Sequence, residues 1–427
     1  MKMKLNMLNS KKILVSLMSL LVITLFVGCD EDTTPSLWDS RPPEGVKPVI
    51  ASLTPPTESL AGVDEVTITG TGFSSVVANN IVYFGSAKAT VLQASETQLI
   101  VRVPNNPKDT LQVKCTVTNS DYFSEPVQYR LRVAAGEAVK VANRAPNCMT
   151  VDKAGNIYIH AKNSKTEKEI GFIKIATDGT ETAFAPTGSA TSSVIFTTMK
   201  CGPDNNLLCI RSATKAIFEV KENTAAKAWA SGFAGNIADF DFDNKGYVWA
   251  GGASGNAQLY RISYSNPKRI EKYAFTGDVK SVRYFQSALY VAATRDNAEK
   301  LFKIPVVSDS VLDVANAVEY FNFTPTYPTV QIKSITISQD GTIYAGNSDT
   351  TSTTAPPIIM VKTDRTSEIF FSVLLGDAIY GTPVQSLAWG ISDDLYFLRG
   401  KTSAHTQEVV RVITKKYSAP YYGRGDL

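Results

Sequence analysis

Two histidines, His160 and His405, five cysteines and a scatter of arginines, lysines and amides are the chemically active side chains of this 427-residue chain. Each histidine stands just after a short apolar segment. A pair of imidazoles on one common rim could transfer protons or hold a metal; the plainer reading is two solvated loop residues. The cysteines form no CxxC pair and no Cys/His cluster, so zinc is not expected. Cys201 and Cys209 flank one turn at positions filled elsewhere by Val151 and Ile159, which suits two buried thiols, with a cross-strand disulfide as the alternative. Cys115 and Cys148 are read as free. Asp239, Asp241 and Asp243 alternate with Phe240 and Phe242. That suits one polar strand face, since the glycine of an Asp-x-Asp-x-Asp-Gly calcium loop is missing. The tail holds Arg424-Gly425-Asp426, an adhesive tripeptide where exposed and otherwise a chance run of common residues. No catalytic residue, metal or cofactor is assigned.

The elements that position these groups follow from a repeat. Met149-Thr150-Val151, a polar Asp152-Lys153-Ala154-Gly155-Asn156 turn and Ile157-Tyr158-Ile159 read as two short strands joined tightly. The frame returns from Met199, Phe240, Val282, Ile335 and Leu387, in steps of 41 to 53 residues, a propeller-like period. A third apolar strand follows each pair, as in Phe172-Ile173-Lys174-Ile175, and often a more polar fourth, as in Thr180-Glu181-Thr182-Ala183-Phe184. Strands graded from apolar to polar suit a blade buried inside and wetted outside. The sixth copy has only a doubtful fourth strand, and residues 136–142 read as an orphan strand that completes the last blade. Closure matters because an open ring leaves unpaired edges. A β-sandwich is the competing architecture.

In a six-bladed propeller over residues 132–427, the loops into each inner strand and those after each second strand gather at one rim. The candidate ligand contacts there are Arg144, Asn147, His160, Arg211, Asn236, Asp239, Arg283, Lys333, Gln385, Arg399 and His405. Polar, planar side chains of this kind suit sugar hydroxyls. Trp389 sits in the slot of Val151 and Ile337, so core packing is expected of it, whereas Trp249 replaces Tyr158 and could face a gap between blades.

Residues 1–28 carry four lysines and then an apolar run from Ile13 to Val27, a signal peptide in outline and short for a membrane span. Setting those lysines aside, the 43 basic side chains fall to one fewer than the 40 acidic ones. A near-neutral chain without a basic stripe is not expected to bind nucleic acid. Residues 29–47, with Pro35, Pro42 and Pro43, read as a tether in which Trp38 is either mobile or packed on the next domain. Residues 48–131 give short alternating strands, a sandwich signature.

Three resemblances sharpen this outline. Phe26-Val27-Gly28-Cys29 resembles a bacterial lipobox with Phe26 in place of the usual Leu, which implies a lipid-modified Cys29 and a membrane anchor. The Asp30-Glu31-Asp32 run after it resembles a surface-export signal of Bacteroidota lipoproteins, implying the outer face of the outer membrane. Pro48-Val49-Ile50, Val66-Thr67-Ile68-Thr69-Gly70-Thr71-Gly72-Phe73, Val82-Tyr83-Phe84-Gly85 and Leu99-Ile100-Val101 together resemble an IPT/TIG domain. That implies an Ig-like spacer, with Gly70 and Gly72 allowing a sharp turn and Phe73 capping the core. The later repeats resemble NHL-type blades, best in residues 152–159 and 338–345. The whole resembles surface lipoproteins of Bacteroidota, some of which accompany glycan uptake. This implies an all-β, non-enzymatic binding or scaffold protein whose partner is a glycan or an outer-membrane protein. The enzyme alternative is a propeller lyase or lactonase, although no lactonase-type Glu/Asn/Asp metal set maps onto the chain.

Overall fold

In two copies of the repeat a single aspartate turns the pattern into structure. Asp152 Oδ1 accepts the backbone N–H groups of Ala154 (2.9 Å) and Asn156 (2.8 Å), and its Oδ2 accepts the Tyr158 hydroxyl at 3.1 Å. Gly155 closes that turn at φ = +85°, a region where a side chain would be strained. Asp243 repeats the device: Oδ1 accepts from Lys245 and Tyr247 N–H, each at 2.9 Å, and Oδ2 from Trp249 Nε1 at 2.8 Å. Trp249 is wholly buried and does the anchoring that Tyr158 does in the first copy.

The computed structural model describes residues 44–426 except 140–143, 187–194, 212–213, 254, 266–267, 309–310, 352–353 and 401–406. Each copy opens an antiparallel sheet, the first being Arg144–Val151, Ile157–Asn163, Glu169–Ile175 and Glu181–Ala185. Among the described residues six such sheets follow one another. Their inner strands are Arg144–Val151, Phe196–Cys201, Ile237–Phe242, Asp278–Phe285, Ile332–Ile337 and Val384–Trp389. Each inner strand packs on the next and the last packs on the first, so the sheets close a ring around a channel. We number the blades 1 to 6 in that order.

The ring is fastened by its two ends. Ala135–Val139 pairs antiparallel with Glu408–Ile413, Gly136 opposite Arg411, and so supplies the outer strand of blade 6. The strand is described over Ala135–Val139, and the rest of the expected segment, residues 140–142, lies outside the described residues. Apolar side chains fill the gaps between blades. Trp389 packs edge-on against Tyr344 with centroids 5.5 Å apart, in the core role its slot predicted.

The thiols are likewise structural. Cys201 lies opposite Leu207 and Cys209 opposite Met199, so the two do not face each other across the ladder. Cys115, Cys148, Cys201 and Cys209 are all free and buried. Burial pushes the Cys115 thiol up to about 11 and the Cys201 thiol up to about 12.

The amino-terminal domain is a sandwich of two sheets. One holds Val49–Thr54, Glu65–Thr71, Gln98–Arg102 and Thr90–Ala94, and the other is built around Asn80–Phe84, Lys108–Val117 and Val127–Arg132. Val66, Ile68, Leu99 and Val101 meet Val82, Phe84, Val113 and Cys115 in its core, with Phe73 buried beside them. A Cβ on Gly70 would fall 1.9 Å from the Val49 carbonyl oxygen, which is why that strand end takes glycine. The domain rests on blade 6: Leu60 shares a core with Trp389 and Leu395, and Lys415 Nζ meets Asp64 at 2.6 Å.

Candidate functional site

Every inner strand slips register once against its partner, at corresponding positions. The slips lie between Pro146 and Cys148, Phe196 and Thr198, Ile237 and Asp239, Val279 and Ser281, Ile332 and Ser334, and Val384 and Ser386. The residues left over are Asn147, Thr197, Ala238, Lys280, Lys333 and Gln385. A bulge bends its strand and re-aims a side chain. Repeated around a ring, it sends the extra residue of blades 2 to 6 to the channel, whereas that of blade 1, Asn147, lies beside His160 instead of at the expected rim. Thr197, Ala238, Lys280, Lys333 and Gln385 all line the channel cavities. At this mouth lies a cavity of about 290 Å3 bounded by Arg211, Asn236, Asp278, Lys280 and Lys333.

The mouth is polarised toward blades 4 and 5. Lys280 Nζ is held by Asp278 at 2.6 Å. Lys333 is open to water inside the channel although protein surrounds most of it. Desolvation by those walls, with the neighbouring Lys280 charge adding to it, holds the Lys333 ammonium below the ordinary lysine value. Among the described residues, the side chains of Arg211, Asn236, Lys333 and Gln385 have no hydrogen-bond or ion-pair partner.

Below the mouth the polar groups bind each other. Asp239 Oδ2 accepts from Ser281 Oγ (2.5 Å), Val282 N–H (3.0 Å) and Arg283 Nη1 (3.0 Å), while Oδ1 lies 3.2 Å from Lys200 Nζ. Asp241 Oδ2 accepts from Tyr284 N–H at 2.8 Å, Ser281 Oγ from Ile335 N–H at 3.1 Å, and Ser334 Oγ from Leu387 N–H at 3.1 Å. Each contact links one blade to the next, and four of them take backbone N–H groups (Val282, Tyr284, Ile335 and Leu387) on the neighbouring inner strand. The network therefore satisfies strand edges that would otherwise need water. Burial acts to raise the Asp239 carboxyl, but Lys200 and Arg283 outweigh it and hold the group below the ordinary aspartate value.

The far end of the channel is stoppered by the chain's own tail. Ser418 bridges to Ser338, and Ala419 N–H donates to the Ile337 carbonyl at 3.0 Å. Tyr421 donates its hydroxyl to the Cys201 carbonyl at 2.9 Å and packs edge-on against Phe242. Arg424 reaches the Trp389 and Gly390 carbonyls, each at 3.0 Å, and pairs with Asp426 at 3.1 Å. The Arg-Gly-Asp tripeptide is thus engaged within the molecule rather than displayed.

The residues singled out from sequence divide into three groups. Arg211, Asn236 and Lys333 come together around the mouth cavity, and Gln385 lines the channel that Lys333 also borders. Asp239 and Arg283 line the channel but serve the blade-to-blade network, and Arg144 pairs with Glu181. His160 and Arg399 are corrections to the expected rim. His160 is completely buried, its Nε2 3.0 Å from Glu169 Oε1 and its Nδ1 3.5 Å from Asn147 Nδ2, with Phe172 and Phe196 against the ring. Arg399 is buried under the carbonyls of Ala378 and Ile379 and pairs with Glu408 at 2.6 Å. Both second strands run past the repeat motif, to Asn163 and to Arg399, so the residue after the motif is still in the ladder. His405 and Cys29 lie outside the described residues. The sequence expectations passed over Thr197 and Lys200, and read the tail only for its tripeptide and not as a plug. A signal for Lys200 existed: the middle residue of each apolar-x-apolar triplet (Thr150, Lys200, Asp241, Arg283, Thr336, Ala388) lines the channel.

With this geometry in hand, the class is plain: the chain is an IPT/TIG domain followed by a β-propeller. Residues 48–131 match the IPT/TIG domain family. No curated protein sequence matches the chain. Among solved structures, a Bacteroides thetaiotaomicron protein named provisionally as a phosphatase is similar at TM-score 0.54 and 10% identity, over 86% of this chain and 97% of that one. That likeness is one of fold alone. An auxiliary nutrient binding protein from the same organism is 8% identical over 86% of this chain and 97% of its own, at TM-score 0.46. Regucalcin from Agrobacterium tumefaciens, a calcium-binding protein, is 12% identical over 65% of this chain and 93% of its own, also at 0.46.

Proposed function

We propose that the protein is a non-enzymatic binding lipoprotein, tethered through Cys29 to the outer face of the outer membrane, which holds a glycan at the channel mouth. One observation carries the reading. The ring is stoppered at one end by its own tail, while four polar side chains (Arg211, Asn236, Lys333 and Gln385) stand without partners among the described residues at the other. Arg211 and Gln385 are half-buried, and half-buried polar groups ordinarily find partners, so their standing unpartnered beside the exposed Asn236 and Lys333 around a concavity suits a ligand that supplies them. Amides and guanidinium groups match the vicinal hydroxyls of sugars. Of the groups with acid–base capacity described nearby, His160 is committed to Glu169, Lys200 to Asp239 and Lys280 to Asp278, which leaves Lys333 for the ligand.

A glycan array probed with the full chain carrying Cys29→Ala tests the binding role. Recognition of a glycan class, weakened about tenfold by Gln385→Ala, is the expected outcome. A silent array with an outer-membrane protein co-purifying would move the reading to a protein scaffold, and turnover of an array glycan would move it to an enzyme. The tether is tested separately by fatty-acid labelling of the full chain in cells, which Cys29→Ala should abolish. Label retained in that variant would remove the anchor.

A further inference from the structure

We propose that the glycan held at the mouth is acidic, its carboxylate or sulfate group occupying the cavity bounded by Arg211, Lys280 and Lys333. This inference rests on reading the mouth as a saccharide site. The cavity wall carries those three cations against one carboxylate, Asp278. Lys280 is already matched by Asp278 at 2.6 Å. The charges of Arg211 and Lys333 therefore remain unmatched by any described group within ion-pair distance.

The placement of Lys333 is built rather than incidental. It is the residue left over at its strand's bulge, and so is Lys280 on the adjacent blade. Two neighbouring bulges thus aim two ammonium groups into one concavity. Like charges gathered between low-dielectric walls raise the local potential, and that field favours an anion far more than a neutral sugar. The charges deeper in the channel do not cancel it, because Asp239 and Asp241 are bonded to Lys200, Arg283 and the next blade's backbone. Arg211 adds a planar fork that takes carboxylate or sulfate oxygens two at a time.

The test uses the full chain with Cys29→Ala and calorimetric titration of matched saccharide pairs. One pair is an oligogalacturonide and its carboxyl-reduced neutral counterpart, and the other is a chondroitin sulfate oligosaccharide and its desulfated form. The acidic member of at least one pair should bind about tenfold or more tightly, with the advantage shrinking as salt rises. The responding pair tells carboxylate from sulfate. Lys333→Ala should remove that advantage and Lys333→Arg should keep it, with the thermal midpoint unchanged because Lys333 is exposed and unpartnered. Equal affinity within both pairs overturns the acidic preference while leaving a glycan-binding role. An acidic preference untouched by Lys333→Ala and by Arg211→Ala overturns the assignment to this cavity. Absence of binding by all four saccharides overturns the acidic preference, and only a silent glycan array as well removes the binding role.

Discussion

Removal of residues 417–427 is expected to lower the unfolding midpoint of the propeller by roughly 10 °C, a loss of about 5 kcal/mol. The tail contributes two tyrosines packed on Phe242 and Tyr284, each placement worth about 1.5–3 kcal/mol for a large side chain largely removed from water. Arg424 adds charge-assisted bonds to two carbonyls, which are worth more than neutral ones. Truncation also strips the Ile337 carbonyl of the Ala419 N–H and exposes the lower ends of five inner strands. The check is thermal and denaturant unfolding followed through Trp389, which lies next to Arg424. Arg424→Ala alone should cost about 2 kcal/mol, as expected for charged hydrogen bonds. A truncated chain as stable as the intact one would show that the tail merely rests on the ring.

Asp239→Ala should be nearly as damaging. It leaves Lys200 and Arg283 buried without their shared carboxylate and orphans the Val282 N–H, a loss of about 3–5 kcal/mol for a broken buried pair. The pH dependence has a definite sign. The folded-state Asp239 carboxyl lies below its unfolded value, so its contribution is fully present above about pH 4 and is lost as pH falls through the lower, folded value. The difference in stability between wild type and Asp239→Ala, measured by denaturant titration, should accordingly shrink on acidification below that point. A difference that stays constant down to pH 2 would mean that Asp239 is not ionised in the folded protein.

Much of the fold was legible because the repeat is a piece of turn chemistry. Asp152 and Asp243 gather turn N–H groups and an aromatic donor from the second strand, and such a constellation marks itself in sequence. The strand that closes blade 6 was legible from bookkeeping alone, as one sheet lacked a fourth strand and one strand lacked a sheet. The bulges were not. Asn147, Thr197, Ala238, Lys280, Lys333 and Gln385 share no chemistry, because a bulge is set by register and leaves the choice of side chain free. The plugging role of the tail was illegible for a related reason: Tyr421 and Arg424 bind backbone carbonyls, whose owners, Cys201, Trp389 and Gly390, carry no signal of it. His160 was misjudged because its strand outlasts the motif, and a histidine inside a ladder between Phe172 and Phe196 is packing material.

The most direct test of the binding site is a crystal structure of the full Cys29→Ala chain soaked with the tightest saccharide from the array. Density is expected in the cavity between Arg211, Lys280 and Lys333, extending to Gln385. Density on the IPT/TIG domain, or at the end of the channel occupied by Tyr421 and Arg424, would contradict it.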